Sequence, residues 1–161
     1  MIKKSILFIA AICFLNFSCS TDSDKEIFSE NSLVGTWEIS DVTREESSSV
    51  SLPQEIAKDL ISQGCNLFTY TFNADNTVVG KSKLNHIEVN ATATGLEVDC
   101  PEQTDTLAGL WELNEDELTI TDPNGGKTVT KIALDGNTLT IAGEDIDEDN
   151  YAGLNVVFTK K

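Results

Sequence analysis

Few side chains in this 161-residue chain could do chemistry: four cysteines, a single histidine and a run of carboxylates near the end. Neither Cys65 nor Cys100 has a second cysteine or a histidine at ligand spacing, so a zinc site built on either would be short of donors. His86, between Asn85 and Ile87, would have to carry any imidazole mechanism alone. No G-x-S-x-G elbow, phosphate-binding loop or H-E-x-x-H pair accompanies it, so the chain is not expected to be an enzyme and no cofactor is assigned. Glu144-Asp145-Ile146-Asp147-Glu148-Asp149-Asn150 sets Asp145, Asp147 and Asp149 at the alternate spacing with which calcium loops begin, hard oxygen donors for a hard cation. The rest of such a loop is missing: Asn150 stands where glycine is needed, and Val156 where a bidentate glutamate closes the shell. A solvated loop between the last two strands is expected instead, with no metal.

What the cysteines do depends on where the chain matures. Lys3 and Lys4 precede an apolar run from Ile6 to Leu15, the layout of a secretory signal and too short to span a bilayer. Ser18-Cys19 resembles the lipobox of bacterial lipoproteins, although Asn16 and Phe17 replace its usual aliphatic and small residues. That resemblance implies a signal peptide over residues 1–18 and lipidation of Cys19. Cleavage nearby by an ordinary signal peptidase is the alternative. With Cys13 in the leader and Cys19 acylated, Cys65 and Cys100 remain in an oxidising compartment, where a disulfide is expected. Closing that loop would contribute roughly 3–4 kcal/mol on a chain-entropy account.

Charge narrows the partners. The leader holds Lys3 and Lys4 and no acid, so its loss takes the formal charge from −16 to −18. Nucleic acid is excluded, because displacing counterions from a phosphate backbone needs clustered Lys and Arg, and the longest basic block is Lys160-Lys161. Membrane attachment would rest on acyl chains and not on a basic face. Cationic, neutral or apolar partners fit such a surface.

The elements that must position these residues are mostly strands. Residues 19–32 are polar and acidic, with Ile27 and Phe28 too few to bury, and read as a tether. One folded domain is expected over 33–161. Phe68, Tyr70 and Phe72 alternate with Thr69 and Thr71; Ile87, Val89, Ala91 and Ala93 alternate with polar residues; Leu154, Val156 and Phe158 do so again. That period of two predicts half-buried antiparallel strands. Asn73-Ala74-Asp75-Asn76, Asp122-Pro123-Asn124-Gly125-Gly126 and Asp135-Gly136-Asn137 supply turn residues between runs. Leu113 to Ile120 and Leu134 to Ile141 share the pattern of Leu, four residues, then Leu-Thr-Ile, which predicts two similar hairpins in a meander. One helix is expected over Pro53–Gly64, with Ile56, Leu60 and Ile61 on one face covering an end of the barrel.

Gly35-Thr36-Trp37 at the start of the first strand resembles the G-x-W opening of lipocalins, and more closely that of the lipocalin-like domains of Bacteroidetes lipoproteins. Cys65 before the second strand, the Phe72 to Thr77 turn and Leu110-Trp111-Glu112-Leu113 are similar as well. The resemblance implies an all-β fold, a small antiparallel up-and-down barrel with one short helix after the first strand. It implies that Trp37 closes the barrel bottom beneath a basic side chain, Lys160 or Lys161, from the last strand, with Gly35 in the same motif. Asn76 stands where such turns usually carry glycine, a position asparagine tolerates.

Lipocalin-like barrels often hold a small apolar ligand, which here would be lined by Phe68, Tyr70, Phe72 and Trp111. The same rings, with Phe158, could instead fill the barrel, leaving a non-catalytic surface or assembly module whose loops meet an envelope protein or glycan. The acidic stretch from Ser20 to Glu26 is similar to the export tethers of Bacteroidetes surface lipoproteins and implies the outer membrane. Asp105-Thr106-Leu107 resembles the short O-glycosylation signal of those envelopes, with Thr106 as acceptor.

Overall fold

The computed structural model describes residues 30–44, 51–93 and 95–161. The expected signal peptide, Cys19 and nearly all of the expected tether lie outside the described residues. Short α1 (Glu30–Leu33) leads into β1 (Gly35–Arg44), followed by α2 (Leu52–Ser62), β2 (Phe68–Phe72) and β3 (Thr77–Ser82). A long excursion then leaves the sheet through a 3-10 turn (Leu84–His86), β4 (Val89–Thr92) and β5 (Gly95–Val98). The chain returns with β6 (Asp105–Asn114), β7 (Glu117–Thr121), β8 (Lys127–Asp135), β9 (Thr138–Ala142), α3 (Glu144–Tyr151) and β10 (Leu154–Lys160). Eight strands close a barrel in the order β1-β10-β9-β8-β7-β6-β3-β2, every pairing antiparallel, while β4 and β5 pair only with each other. Closure leaves no free edge in the main sheet.

Period two is carried out in the packing. In β2, Phe68, Tyr70 and Phe72 point inward and are buried, and Val156 and Phe158 do the same in β10. The repeated Leu-x4-Leu-Thr-Ile pattern becomes two hairpins in which Leu113 faces Leu118 and Leu134 faces Leu139, both pairs buried. Their two-residue loops begin with a left-handed residue, Glu115 (φ 55°) and Gly136 (φ 54°). Asn76 takes the same conformation at φ 63°.

α2 ends as its sequence dictates. Ser51 caps its start by accepting from the Gln54 amide at 3.4 Å, with Pro53 in the first turn. Left-handed Gly64 (φ 83°) closes it: Gly64 N donates to Ile61 O and Cys65 N to Leu60 O, both at 2.9 Å, the bond pattern of a Schellman motif. This folds Cys65 back toward the excursion, where it bonds Cys100 with a Cα separation of 5.7 Å.

Two expectations are corrected. The segment over Ile87–Ala93 is not a half-buried barrel strand: β4 is exposed along its whole length, because its partner β5 stands outside the barrel and offers no core to bury against. The acidic run is not a loop but α3, a further helix kinked at Asp147 (φ −160°, ψ 98°). The Asp147 carboxylate accepts from Asp149 N at 3.1 Å, Asn150 N at 3.2 Å and Asn150 Nδ2 at 2.7 Å. Within the acidic run it therefore caps the helical turn that follows the kink.

Candidate functional site

The two barrel ends are built differently. At the closed end Trp37 is fully buried, its indole N–H donating to Leu33 O at 2.7 Å. Lys160, paired with Trp37 across β1 and β10, lies 5.2 Å from the ring centroid and donates through Nζ to Ser32 O at 2.8 Å. Gly35 makes room for it: at φ 139°, a Cβ there would stand 2.7 Å from Lys160 Cε. Lys161 instead bridges Glu38 at 2.7 Å. Trp111 joins the same end, its Nε1 donating to Asn73 O at 3.1 Å and its amide to Asn76 O at 2.8 Å.

Above this floor the interior is occupied. Trp111 meets Phe72 edge-on at 5.7 Å, Phe72 stacks on Tyr70 at 5.4 Å, and Tyr70 lies against Phe68 at 4.6 Å. Phe158 contacts both Phe68 and Tyr70 at 5.6 Å. These five rings meet across the barrel, and Phe72 and Trp111 take part in plugging the closed end and line no mouth.

The other end is open. A cleft of about 250 Å³ lies above Phe68 and Tyr70, walled by Leu84, Leu107, Ile120 and the α3 residues Asp145 and Ile146. A second, of about 390 Å³, runs between α2 (Leu52, Pro53, Ile56), Ile87, Val89 and Tyr151, and shares Leu84, Asn85 and Asp147 with the first. Gly80 keeps the top layer thin, its α-carbon facing the Tyr70 ring, which a Cβ would approach to 3.2 Å. Leu52, Val89 and Leu107 are three of the six large apolar side chains exposed among the described residues, and all three wall these clefts. Half of these exposed apolar side chains thus lie at the mouth, as at surfaces that meet a ligand or partner.

The lipocalin-like domain model matches residues 33–141. The chain belongs to the lipocalin-like domain family. It is similar in structure to a lipocalin-like protein from Bacteroides uniformis, with a TM-score of 0.41, 16% identity, and coverage of 81% of this chain and 99% of that one. An uncharacterized protein from Bacteroides eggerthii is similar too, with a TM-score of 0.41, 13% identity, and coverage of 80% of this chain and 98% of that one. No curated protein matches the chain.

At the lipocalin-like mouth both tyrosines are held neutral. Burial, then the nearby charge of Asp145, pushes the Tyr70 phenol up to about 12; burial, then Asp147, does the same for Tyr151. Outside the barrel, Asp105 accepts from Asn85 Nδ2 at 2.9 Å and meets His86 Nε2 at 3.0 Å. Those hydrogen bonds, Asn85's first, lower the Asp105 pKa. His86 is thereby part of a latch holding the excursion to β6. Thr106 is exposed on β6 beside Lys81. The disulfide ties the same excursion to the end of α2, so a covalent link and the latch both fasten it to the barrel.

Of the four residues expected to line a ligand, Phe68 and Tyr70 line the cleft. The other walls lacked a strong signal. Leu107 shares the inward phase of Trp111 and Leu113 on β6, which period two could have found. Leu84, Asn85 and Ile146 sit in a turn and an acidic run, where no periodicity marks which side faces the barrel.

Proposed function

We propose that this lipocalin-like protein is a non-catalytic envelope lipoprotein, anchored through Cys19 to the outer membrane, that binds a small ligand at the barrel mouth and not deep within it. The observation carrying this reading is the pair of neighbouring clefts at the open end, which share Leu84, Asn85 and Asp147 in their walls. Their floor is apolar, their rim is polar, and ligand sites combine those features. At about 250 Å³ the inner cleft falls below the roughly 300–1,000 Å³ of drug-sized sites, so the buried part of the ligand is small. Native mass spectrometry of the protein recovered from its own envelope in mild detergent tests the reading. A constant added mass, lost on denaturation and absent from a Leu107→Trp variant that fills the cleft, is expected; a bare mass would overturn it. Anchoring is tested by Cys19→Ala, which should release the protein from the membrane fraction.

The β4–β5 hairpin supports a second reading. Every described side chain of β4 is exposed, and Leu96 on β5 is more than half exposed, outside any core. An exposed hairpin beside a filled barrel suits a module that presents loops to another envelope macromolecule.

A further inference from the structure

The mouth is lined by one sign of charge only. Asp145 and Asp147 stand over the inner cleft, Asp147 also walls the outer one, and no lysine, arginine or histidine lines either. The remaining walls are apolar or neutral: Phe68, Tyr70, Leu84, Leu107, Ile120 and Ile146 around the inner cleft, with Asn85, Ser82 and Thr128 at its polar edge. The two carboxylates are not equivalent. Asp147 spends its oxygens on the backbone and side chain of its own helix. Asp145 is exposed, and among the described residues no hydrogen bond or ion pair holds it. The kink at Asp147 interrupts α3 and leaves Asp145 and Ile146 together on the cleft side. A carboxylate with no hydrogen bond or ion pair among the described residues thus shares the lining of one cleft with the rings of Phe68 and Tyr70.

We propose that the mouth takes a small amphipathic cation, an organic ammonium whose apolar body lies on Phe68, Tyr70 and Leu107 and whose charged head faces Asp145. This rests on the mouth reading above and names the ligand class for it. Three physical effects select that class. The formal charge of −16 favours approach of cations at low salt and repels anions. A carboxylate rim beside low-dielectric walls strengthens attraction to a cation, and aromatic faces add to it. The tail of a fatty acid would fit the apolar floor equally well, but its carboxylate would meet two negative charges with no cation to receive it.

The test uses three probes of one shape and different charge: 2-phenylethylammonium, 2-phenylethanol and 3-phenylpropanoate, titrated calorimetrically into the full chain in mild detergent at low salt. The expected order is ammonium at least about tenfold tighter than alcohol, with no measurable binding of the carboxylate. Asp145→Asn, an exposed substitution, should remove the ammonium's advantage over the alcohol, and added salt should reduce that advantage in the same direction. Equal affinity for ammonium and alcohol, or binding of the carboxylate, would overturn the cation preference and leave the mouth reading standing. Absence of binding by all three, with tryptophan emission unchanged from the native protein, would overturn both. An ammonium advantage that survives Asp145→Asn would overturn the assignment of Asp145.

Discussion

Two ends of one barrel face opposite problems. At the closed end Trp37, Phe72 and Trp111 are buried against short turns, and each indole N–H finds a backbone carbonyl. At the mouth the inward positions carry Gly80, Leu107, Ile120 and Thr128 beneath a kinked acidic helix. Large rings stabilise the closed end through burial. The mouth has a thin top layer and is fastened instead by a covalent and a polar tie: the Cys65–Cys100 link across 35 residues and the Asp105 latch. Large buried rings are concentrated where the barrel shuts, and open space where packing was given up. The protein also labels its own halves, because both tryptophans lie at the closed end and both tyrosines wall the mouth clefts.

The hardest break is at the closed end. Trp37→Ala should cost about 3–5 kcal/mol, as large aromatic truncations in cores do, and denaturant titration should show the whole barrel melting early. A loss below about 1 kcal/mol would mean the ring is not what shuts this end. Replacing both Cys65 and Cys100 with serine should cost roughly 3–4 kcal/mol by freeing the unfolded chain. In the folded state its effect should stay at the mouth, with faster hydrogen exchange in residues 83–104 and unchanged tryptophan emission. A tryptophan shift in the folded double variant would erase the distinction between the ends.

Smaller effects sharpen the comparison. Glu115 holds a left-handed conformation that costs a residue with a Cβ about 1–2 kcal/mol, so Glu115→Gly should raise stability by something near 1 kcal/mol, read as a higher melting temperature. The equivalent position of the β8–β9 hairpin, Gly136, already holds glycine, and Gly136→Ala should move stability the other way. Alkaline titration followed at 295 nm should show neither tyrosine ionising until about pH 12. Because the folded pKa is raised above the ordinary 10, this contribution to stability is full below pH 10 and is lost as pH rises toward 12. Asp145→Asn should bring the Tyr70 step down and leave Tyr151 alone.

The smallest effect pairs one carboxylate from each end. Asp75 in the closed-end turn, hydrogen-bonded by the hydroxyl and then the amide of Thr77, and Asp105 at the mouth both titrate below 3.8. Depressed values mean that their contribution is present above pH 3.8 and lost as the solution is acidified through their folded pKa. Carbon-detected NMR should show Asn85→Ala raising the Asp105 value and leaving Asp75 where it was.

Much of this was written in local pattern. Alternation in β2 and β10, the paired Leu-x4-Leu-Thr-Ile hairpins, the Gly64 stop of α2 and the left-handed Asn76 follow from side-chain period and backbone sterics, which act within a few residues. The Gly35-Thr36-Trp37 motif, Lys160 and the Cys65–Cys100 pair were legible through chemistry and family likeness. Alternation misled at Ile87–Ala93, because period two says that a segment is extended and not whether a core lies beside it. The acidic run misled as well. Its side chains do not announce a helix, and α3 forms where the chain passes from β9 to its neighbour β10, with Ile146 and Tyr151 packed against the core. Five rings meeting across the interior, the shallowness of the cleft and the placing of Asp145 above Tyr70 depend on strand register and closure, contacts between residues far apart in sequence. No local pattern encodes those distances, so the sequence alone determined a disulfide-bearing antiparallel barrel with a Trp-shut end, and only the tertiary structure decided that its open space is a shallow, acidic mouth.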